Sequence, residues 1–551
     1  MKSRLLFLTL STLLAFAAAS LGGCRKKADT ESASKAGPTP VESGNRTQTL
    51  HLGNIGEPND LDPHVGDSHE TFNIISALFE GLAQYDAKTS EPVPAAAERW
   101  ETSPDGLVWT FHLRKAAKWS NGDPLTAHDF VFGFQRMLSP NLAAQYAQTL
   151  YVLKNAEAYN TGKITDASQI GARALDDHTL ELSLDHPVPY LAGLVCHSAW
   201  YPIHRATIEK FGAIDQRGLP WTRPGNIVSN GYFILADWRP NQFIRLTKSP
   251  TYWDRDNVKL NEVLFHPIES ADAEERAFRS GQLHITRQVP IPKIATYRKE
   301  RPDVLKNDPV LSIYYYSLNT EKPPLTDARV RRALALAIDR DQIVKFVTRG
   351  GQLPAGHFTP PGTAGFTAQA VTGTDIPTAQ KLLAEAGFPG GKGFPRIEIL
   401  YNTSEGHKSI AEAIQQMWKK NLGVDIGLYN QEAKVWLDSM RQKNYQISRA
   451  GWGGDYLDPS TFLDIMLGDS GNNHTNWKNP EYDRVLLEAR NTSDQAKRFE
   501  NFQRAEQILS EDMPIIPIYF YVRNTLVLPE VKGWYGNLLD HHPLKGVYLQ
   551  P

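Results

Sequence analysis

Three stretches decide the fold class: Ile397-Glu398-Ile399-Leu400-Tyr401, then Ile410, Ala413, Ile414, Met417 and Trp418, then Val424-Asp425-Ile426-Gly427-Leu428. The outer two are short apolar runs rich in β-branched residues, the pattern of strands. Between them apolar residues recur at helical spacing, which marks one buried helix face. Strand, helix, strand in about 30 residues is a βαβ unit, which favours a parallel pair joined by a right-handed crossover. The fold class is therefore α/β.

The same grammar extends along the chain. Leu107, Trp109, Phe111 and Leu113 alternate as in a half-buried strand. Asn121-Gly122-Asp123-Pro124 signals a turn, and Thr126 with Asp129 forms a capping-box variant opening a helix with Phe130, Phe134 and Met137 on its apolar face. Asp327 begins another helix carrying Val330, Ala333, Leu334, Ala337 and Ile338, and Pro389 to Pro395 reads as a helix-to-strand turn. The apolar stripes are core rather than cofactor boxes. The length, 551 residues, predicts about three domains. A net charge of −2 argues against a nucleic-acid partner, and two cysteines exclude a disulfide framework and a thiolate metal cluster.

The N-terminus carries an address. Lys2 and Arg4 precede an apolar run, Leu5 to Ala19, long enough for a signal h-region and short of the ~20 residues of a membrane span. Leu21-Gly22-Gly23-Cys24 follows and resembles a bacterial lipobox, in which the cysteine becomes the lipidated first residue. Residues 1–23 are then a lipoprotein signal peptide. Its removal takes Lys2 and Arg4 and no acid, leaving 57 basic against 61 acidic residues. Residues 24–49 lack aromatics and contain only one large aliphatic, Val41, until Thr49, so they are expected to form a disordered tether.

Catalytic motifs are missing. There is no His-Glu-x-x-His and no Gly-x-Ser-x-Gly. Near Gly391-Lys392, a phosphate loop would need Ser or Thr where Gly393 stands and Gly where Ala386 stands. Cys196, beside His197, reads as a small buried apolar residue, and His541-His542 as solvated loop histidines. No enzyme, metal or cofactor is expected.

The order of segments resembles the extracytoplasmic solute-binding proteins of the peptide/nickel ABC-importer family. The matching blocks are Glu57-Pro58 through Leu61-Asp62-Pro63-His64, Leu78-Phe79-Glu80-Gly81-Leu82, Ala97 through Arg114, Trp119-Ser120-Asn121-Gly122, Ser229-Asn230-Gly231-Tyr232, Pro250-Thr251-Tyr252-Trp253 and Asp327-Ala328-Arg329-Val330-Arg331. The block Arg449-Ala450-Gly451-Trp452-Gly453-Gly454-Asp455-Tyr456-Leu457-Asp458-Pro459 resembles the oligopeptide-binding branch most closely. The resemblance implies a two-lobed periplasmic-binding-protein clamshell with an additional third domain. Lobe one would comprise 48–80, 205–306 and 522–551, the extra domain 81–204, and lobe two 307–521. It further implies short peptides as ligands, a membrane permease with cytoplasmic ATPases as partner, a monomer, and a place outside the cytoplasm, in the periplasm or at the cell surface.

By position in the family motif, Asp455 would hold the peptide α-amino group, and Arg449 and His407 its carboxylate at different peptide lengths. The chemistry agrees, because an enclosed ammonium needs a carboxylate and a planar guanidinium can bond both carboxylate oxygens. Gly451, Gly453 and Gly454 would let an extended ligand approach as an added strand, and Trp452 would line a side-chain pocket. Tyr146 matches another pocket position, and Asp67 with His69 a loosely matched backbone contact. Spacing alone reads Arg449 and Asp455 as surface charges, the glycines as a turn, and Asp67 and His69 as an exposed loop. One departure stands out: Ala433 replaces a Trp of the near relatives and would reshape a side-chain pocket. Dipeptides or murein peptides remain alternative ligands, and a clamshell sensor an alternative role. For the anchor, Cys24→Ser is expected to release the body from membranes on fractionation; a processed variant that stays membrane-bound would remove the lipobox.

Overall fold

The βαβ unit lies at the edge of a six-stranded mixed sheet in the computed structural model, which describes residues 37–66 and 68–550. Strands Ile397–Asn402 and Ile426–Gln431 run parallel, Ile397 beside Ile426, and helix Glu405–Leu422 crosses between them. That helix buries Ile410, Ala411, Ile414 and Trp418, whereas Ala413 and Met417 are only partly covered. The sheet continues through Ile447–Gly453 to the long strand Leu305–Leu318, then Ile515–Leu526 and Leu353–Pro354. Side chains alternate across it. Tyr314 and Tyr316 join Trp418 in one apolar cluster, and Ile313 and Tyr315 join Phe462 and Phe502 in another.

A second sheet orders Thr49–Gly53, Glu262–His266, Phe243–Lys248 and Phe233–Arg239, so residues 200 apart in sequence are neighbours. A third, antiparallel sheet orders Ala97–Thr102, Val108–Leu113, Thr179–Ser183 and Ala172–Asp176. Trp109, Phe111 and Leu113 are buried as their alternation predicts. Helix Ala127–Met137 opens at Thr126, whose backbone N–H and hydroxyl donate to Asp129 at 2.8 and 3.0 Å. One continuous apolar cluster unites these two sheets through Leu50, Phe79, Phe111, Trp200 and Phe265.

The leader, Cys24 and the tether up to residue 36 lie outside the described residues. The end of the tether is a correction. Pro40–Thr47 is a helix, followed directly by strand Thr49–Gly53. Thr39 and Glu42 form a capping box, with Pro40 in the first turn where its missing N–H costs nothing. Composition hid this because the helix buries little: Val41, and Gly44 against Thr49 and His284.

The strands Leu305–Leu318 and Ile515–Leu526 join the parts of the molecule. They pair from Leu305↔Leu526 to Pro309↔Val522 and again from Ile313↔Phe520 to Ser317↔Ile515, with a further shift between Tyr314 and Tyr315. The register breaks between Pro309 and Ile313, leaving Val310, Leu311 and Ser312 opposite Tyr521.

Two bidentate ion pairs hold loops in place. Arg136 on helix Ala127–Met137 donates to both oxygens of Asp62 at 3.0 and 2.6 Å. Arg498 on helix Gln495–Asp512 does the same to Asp458 at 2.8 and 2.9 Å, and all four side chains are buried. Breaking such a pair strands a charge and costs about 3–5 kcal/mol, whereas replacing both partners by apolar groups is often neutral. Asp458→Ala should therefore lower stability in denaturant titration by that order, and Asp458→Leu with Arg498→Met by markedly less.

Candidate functional site

The register break is the floor of a cavity of about 590 Å³. Val310, Leu311 and Ser312 come from one connecting strand, Tyr521, Val522 and Arg523 from the other. Helix His69–Leu78 contributes His69 and Phe72, and the loop Gly453–Asp455 and segment Leu538–His541 close the sides.

Leu311 explains why the Asp455 loop sits there. With its ladder broken, its carbonyl accepts from the Gly454 N–H at 2.8 Å and its own N–H donates to the Leu538 carbonyl at 2.6 Å. A Cβ at Gly454 would come within 2.5 Å of the Leu311 side chain and 2.9 Å of Thr461, so a larger residue here would push those side chains aside. Asp455 follows, its backbone N–H donating to Thr461 Oγ1 at 3.0 Å. Its carboxylate opens onto the cavity and makes no hydrogen bond or ion pair among the described residues. Burial pushes its pKa up. A carboxylate so placed gains from any cation that enters.

Arg449 lies on strand Ile447–Gly453, on the same face as Gly451 and Gly453. A Cβ at Gly451 would stand 3.4 Å from the Arg449 Nη2, in ordinary contact with the guanidinium. Arg449 donates to Tyr521 Oη at 3.2 Å and to Asn402 Oδ1 at 3.4 Å, and lies 5.0 Å from the Tyr314 ring centroid. Both acceptors are neutral, no carboxylate pairs with it among the described residues, and its buried Nε has no partner there. His407 packs on the Tyr314 ring at 5.5 Å, its pKa lowered to about 4 by burial and then by Arg449. It is therefore neutral near pH 7 and offers a hydrogen bond, not a charge.

Of the residues read from the sequence, the cavity brings together Asp455, Gly453, Gly454, Tyr146 and His69. Arg449 and His407 form a neighbouring cluster, joined to the cavity through Tyr521. Trp452 points to the opposite face, donates to the Thr461 carbonyl at 2.7 Å and packs against the Phe462 cluster. It is not part of this cavity wall. Ala433 is exposed at the start of helix Ala433–Arg441, whose Trp436 covers Arg449 at 5.7 Å. Asp67 lies outside the described residues. Cys196 is buried, its thiol pKa pushed up by burial, as expected of an inert residue.

His541 and His542 correct the expectation of solvated loop histidines. His542 stacks on Trp534 at 3.9 Å with Nε2 3.1 Å from Asp540, and His541 lines the cavity. Arg287 and Arg523 also donate to Asp540, at 2.8 and 2.9 Å. Burial alone would push the Asp540 pKa up, but Arg287, His542 and Arg523 together hold it well below the ordinary range. Arg287 comes from 253 positions away, so no local pattern marks this hub.

An α/β body of several sheets, with a ligand-sized cavity where its connecting strands break register, is the architecture of a binding protein. The chain belongs to the bacterial extracellular solute-binding proteins, family 5, whose middle-region model matches residues 91–474. It is 42% identical over 514 residues to the periplasmic oligopeptide-binding protein OppA of Salmonella typhimurium, covering 91% of this chain and 92% of that one. Among solved structures, the unliganded open form of the periplasmic murein tripeptide binding protein MppA is similar at 36% identity and a TM-score of 0.81, covering 91% of this chain and 97% of that one. Haemophilus influenzae OppA in complex with RPPGFSPFR is similar at 36% identity and a TM-score of 0.71, covering 92% and 99%.

The Arg449 cluster generates a pH test. A ligand carboxylate seated between Arg449 and His407 would stabilise the imidazolium and raise the His407 pKa from about 4. Proton uptake on binding is then expected between about 4 and the raised pKa, and affinity should rise as pH falls through that window. A C-amidated ligand, which leaves any Asp455 contribution unchanged, serves as the control. Calorimetry near pH 5 in two buffers of different ionisation heat checks this; equal proton uptake for acid and amide would remove His407 from the carboxylate site.

Proposed function

We propose that this chain is the substrate-binding lipoprotein of an ABC importer, working as an extracytoplasmic monomer anchored through Cys24. It captures short oligopeptides between two lobes by their charged ends and backbone, and delivers them to a membrane permease driven by cytoplasmic ATPases. The role is binding, not catalysis. The second sheet with its neighbours forms lobe one, the third sheet the extra domain, and the six-stranded sheet lobe two, with borders as the family resemblance implies.

One observation carries the reading. Asp455 and Arg449 are opposite charges without opposite-charge partners among the described residues, and a strand face bare of side chains at Gly451 and Gly453 lies between them. Arg449 to Gly453 spans about 13 Å of strand, matching an extended peptide of roughly four residues. What peptides of any sequence share is an ammonium, a carboxylate and a backbone, and these groups meet all three. The relatives named for oligopeptides, and the OppA complex with RPPGFSPFR, support the ligand class. The broken ladder at Val310–Ser312 supports a hinge between the lobes.

The test is a binding cycle. Asp455→Ala should strand the ligand ammonium at a cost of about 3–5 kcal/mol, roughly two to four decades in affinity. N-acetylation removes the same pair from the other side, so the losses should not add. If the unmodified protein binds free and acetylated peptides equally well, Asp455 does not hold the amino terminus and the proposal falls.

A further inference from the structure

The loop that carries Asp455 is held from two sides. On the side of the six-stranded sheet, Gly454 donates to the Leu311 carbonyl at 2.8 Å and the Asp455 N–H to Thr461 Oγ1 at 3.0 Å. Further along, Asp458 receives both Arg498 nitrogens and the Ser460 hydroxyl, the latter at 2.8 Å. The same Ser460 hydroxyl lies 3.2 Å from Tyr456 Oη.

The other side is a distant segment. Trp452 and Leu457 pack into a cluster of the six-stranded sheet. Tyr456, between them in the chain, packs instead against the cluster that unites the second and third sheets. There it meets Tyr190, which stands at the start of helix Leu191–Leu194, after strand Thr179–Ser183. The two phenol rings lie face to face, their centroids 4.6 Å apart and their planes 4° from parallel. The Arg498 guanidinium stands over the same Tyr190 ring at 5.7 Å. Tyr190 therefore touches the residue next to Asp455 and faces the arginine that holds Asp458. Neither tyrosine belongs to the cavity wall.

We propose that Tyr190 is a positioning residue for the ammonium site: it does not reach the ligand, and it acts on Asp455 through Tyr456. The proposal rests on the peptide reading, in which Asp455 takes the ligand's amino group. A carboxylate bonds an ammonium strongly only at short, directed range, and a loop that must be ordered on binding gives up affinity to the lost entropy. Ser460 fixes the tip of the Tyr456 ring and Tyr190 covers its face, so the backbone beside Asp455 is held before any ligand arrives. Without Tyr190 the tip contact remains, and the loop gains freedom where the carboxylate must be aimed.

The test is calorimetry with Ala-Ala-Ala, free and N-acetylated. Tyr190→Ala should weaken the free peptide about three- to tenfold, the scale of a lost aromatic pair, and the acetylated one by about twofold at most. In an Asp455→Ala background, Tyr190→Ala should cost the free peptide nothing further, because the residue it aims is gone. Tyr190→Phe keeps the ring and should restore binding. Tyr190→Leu fills the space without a flat face and should behave as the alanine variant does; it serves if that variant unfolds. Equal losses for free and acetylated peptide, no loss at all, an undiminished loss in the Asp455→Ala background, or a Tyr190→Phe variant as weak as Tyr190→Ala would each overturn the proposal while leaving peptide binding standing. Equal affinity of the unmodified protein for free and acetylated peptide would overturn the peptide-end reading itself.

Discussion

The molecule turns on a broken backbone ladder. Strands Leu305–Leu318 and Ile515–Leu526 keep one register up to Pro309 and resume pairing at Ile313 in a different one, so the backbone groups between them lose their ladder partners. Buried backbone groups must pair somewhere. Leu311 pairs with Gly454 on one side and Leu538 on the other, and the Ser312 hydroxyl donates to the Trp452 carbonyl at 2.9 Å. Two loops that carry cavity residues are thereby tied to the register break. The cavity lies there because the strand's unpaired backbone groups draw these loops to it.

Buried charge is handled in two ways. Asp62, Asp458 and Asp540 are each saturated by arginine, and their burial is tolerable for that reason. Asp455 and Arg449 are treated differently: one lacks any partner among the described residues and the other leans on neutral oxygens and rings. Saturated pairs hold loops. Uncompensated buried charges gain from any opposite charge that reaches them. The difference between a paired and an unpaired charge here lies in what surrounds it, not in residue type.

Local signals are legible where neighbours two to four positions away decide the outcome. The Thr126–Asp129 cap, the Asp327 helix start and the alternation at Trp109, Phe111 and Leu113 all follow from such short-range rules. The capping box at Thr39 is equally local, but the helix it opens buries only Val41 and Gly44, too little apolar surface for composition to mark it. Tyr521 and the Asp540 hub could not be found that way. Each acquires its role from a residue in a distant segment, Tyr521 from Arg449 and Asp540 from Arg287.

The chain by itself determined the α/β class, the βαβ edge of the large sheet, the turns and the glycine-rich block between Arg449 and Asp455. Periodicity and capping act over a turn of helix or a pair of strand residues, and those distances are written in the sequence. Only the tertiary structure decided which charges stay unpaired, that Trp452 faces away from the glycine face, and that His541 and His542 are packed rather than solvated. Burial and electrostatic pairing depend on which distant segments meet, and those meetings are set by the packing of whole sheets rather than by any neighbour along the chain.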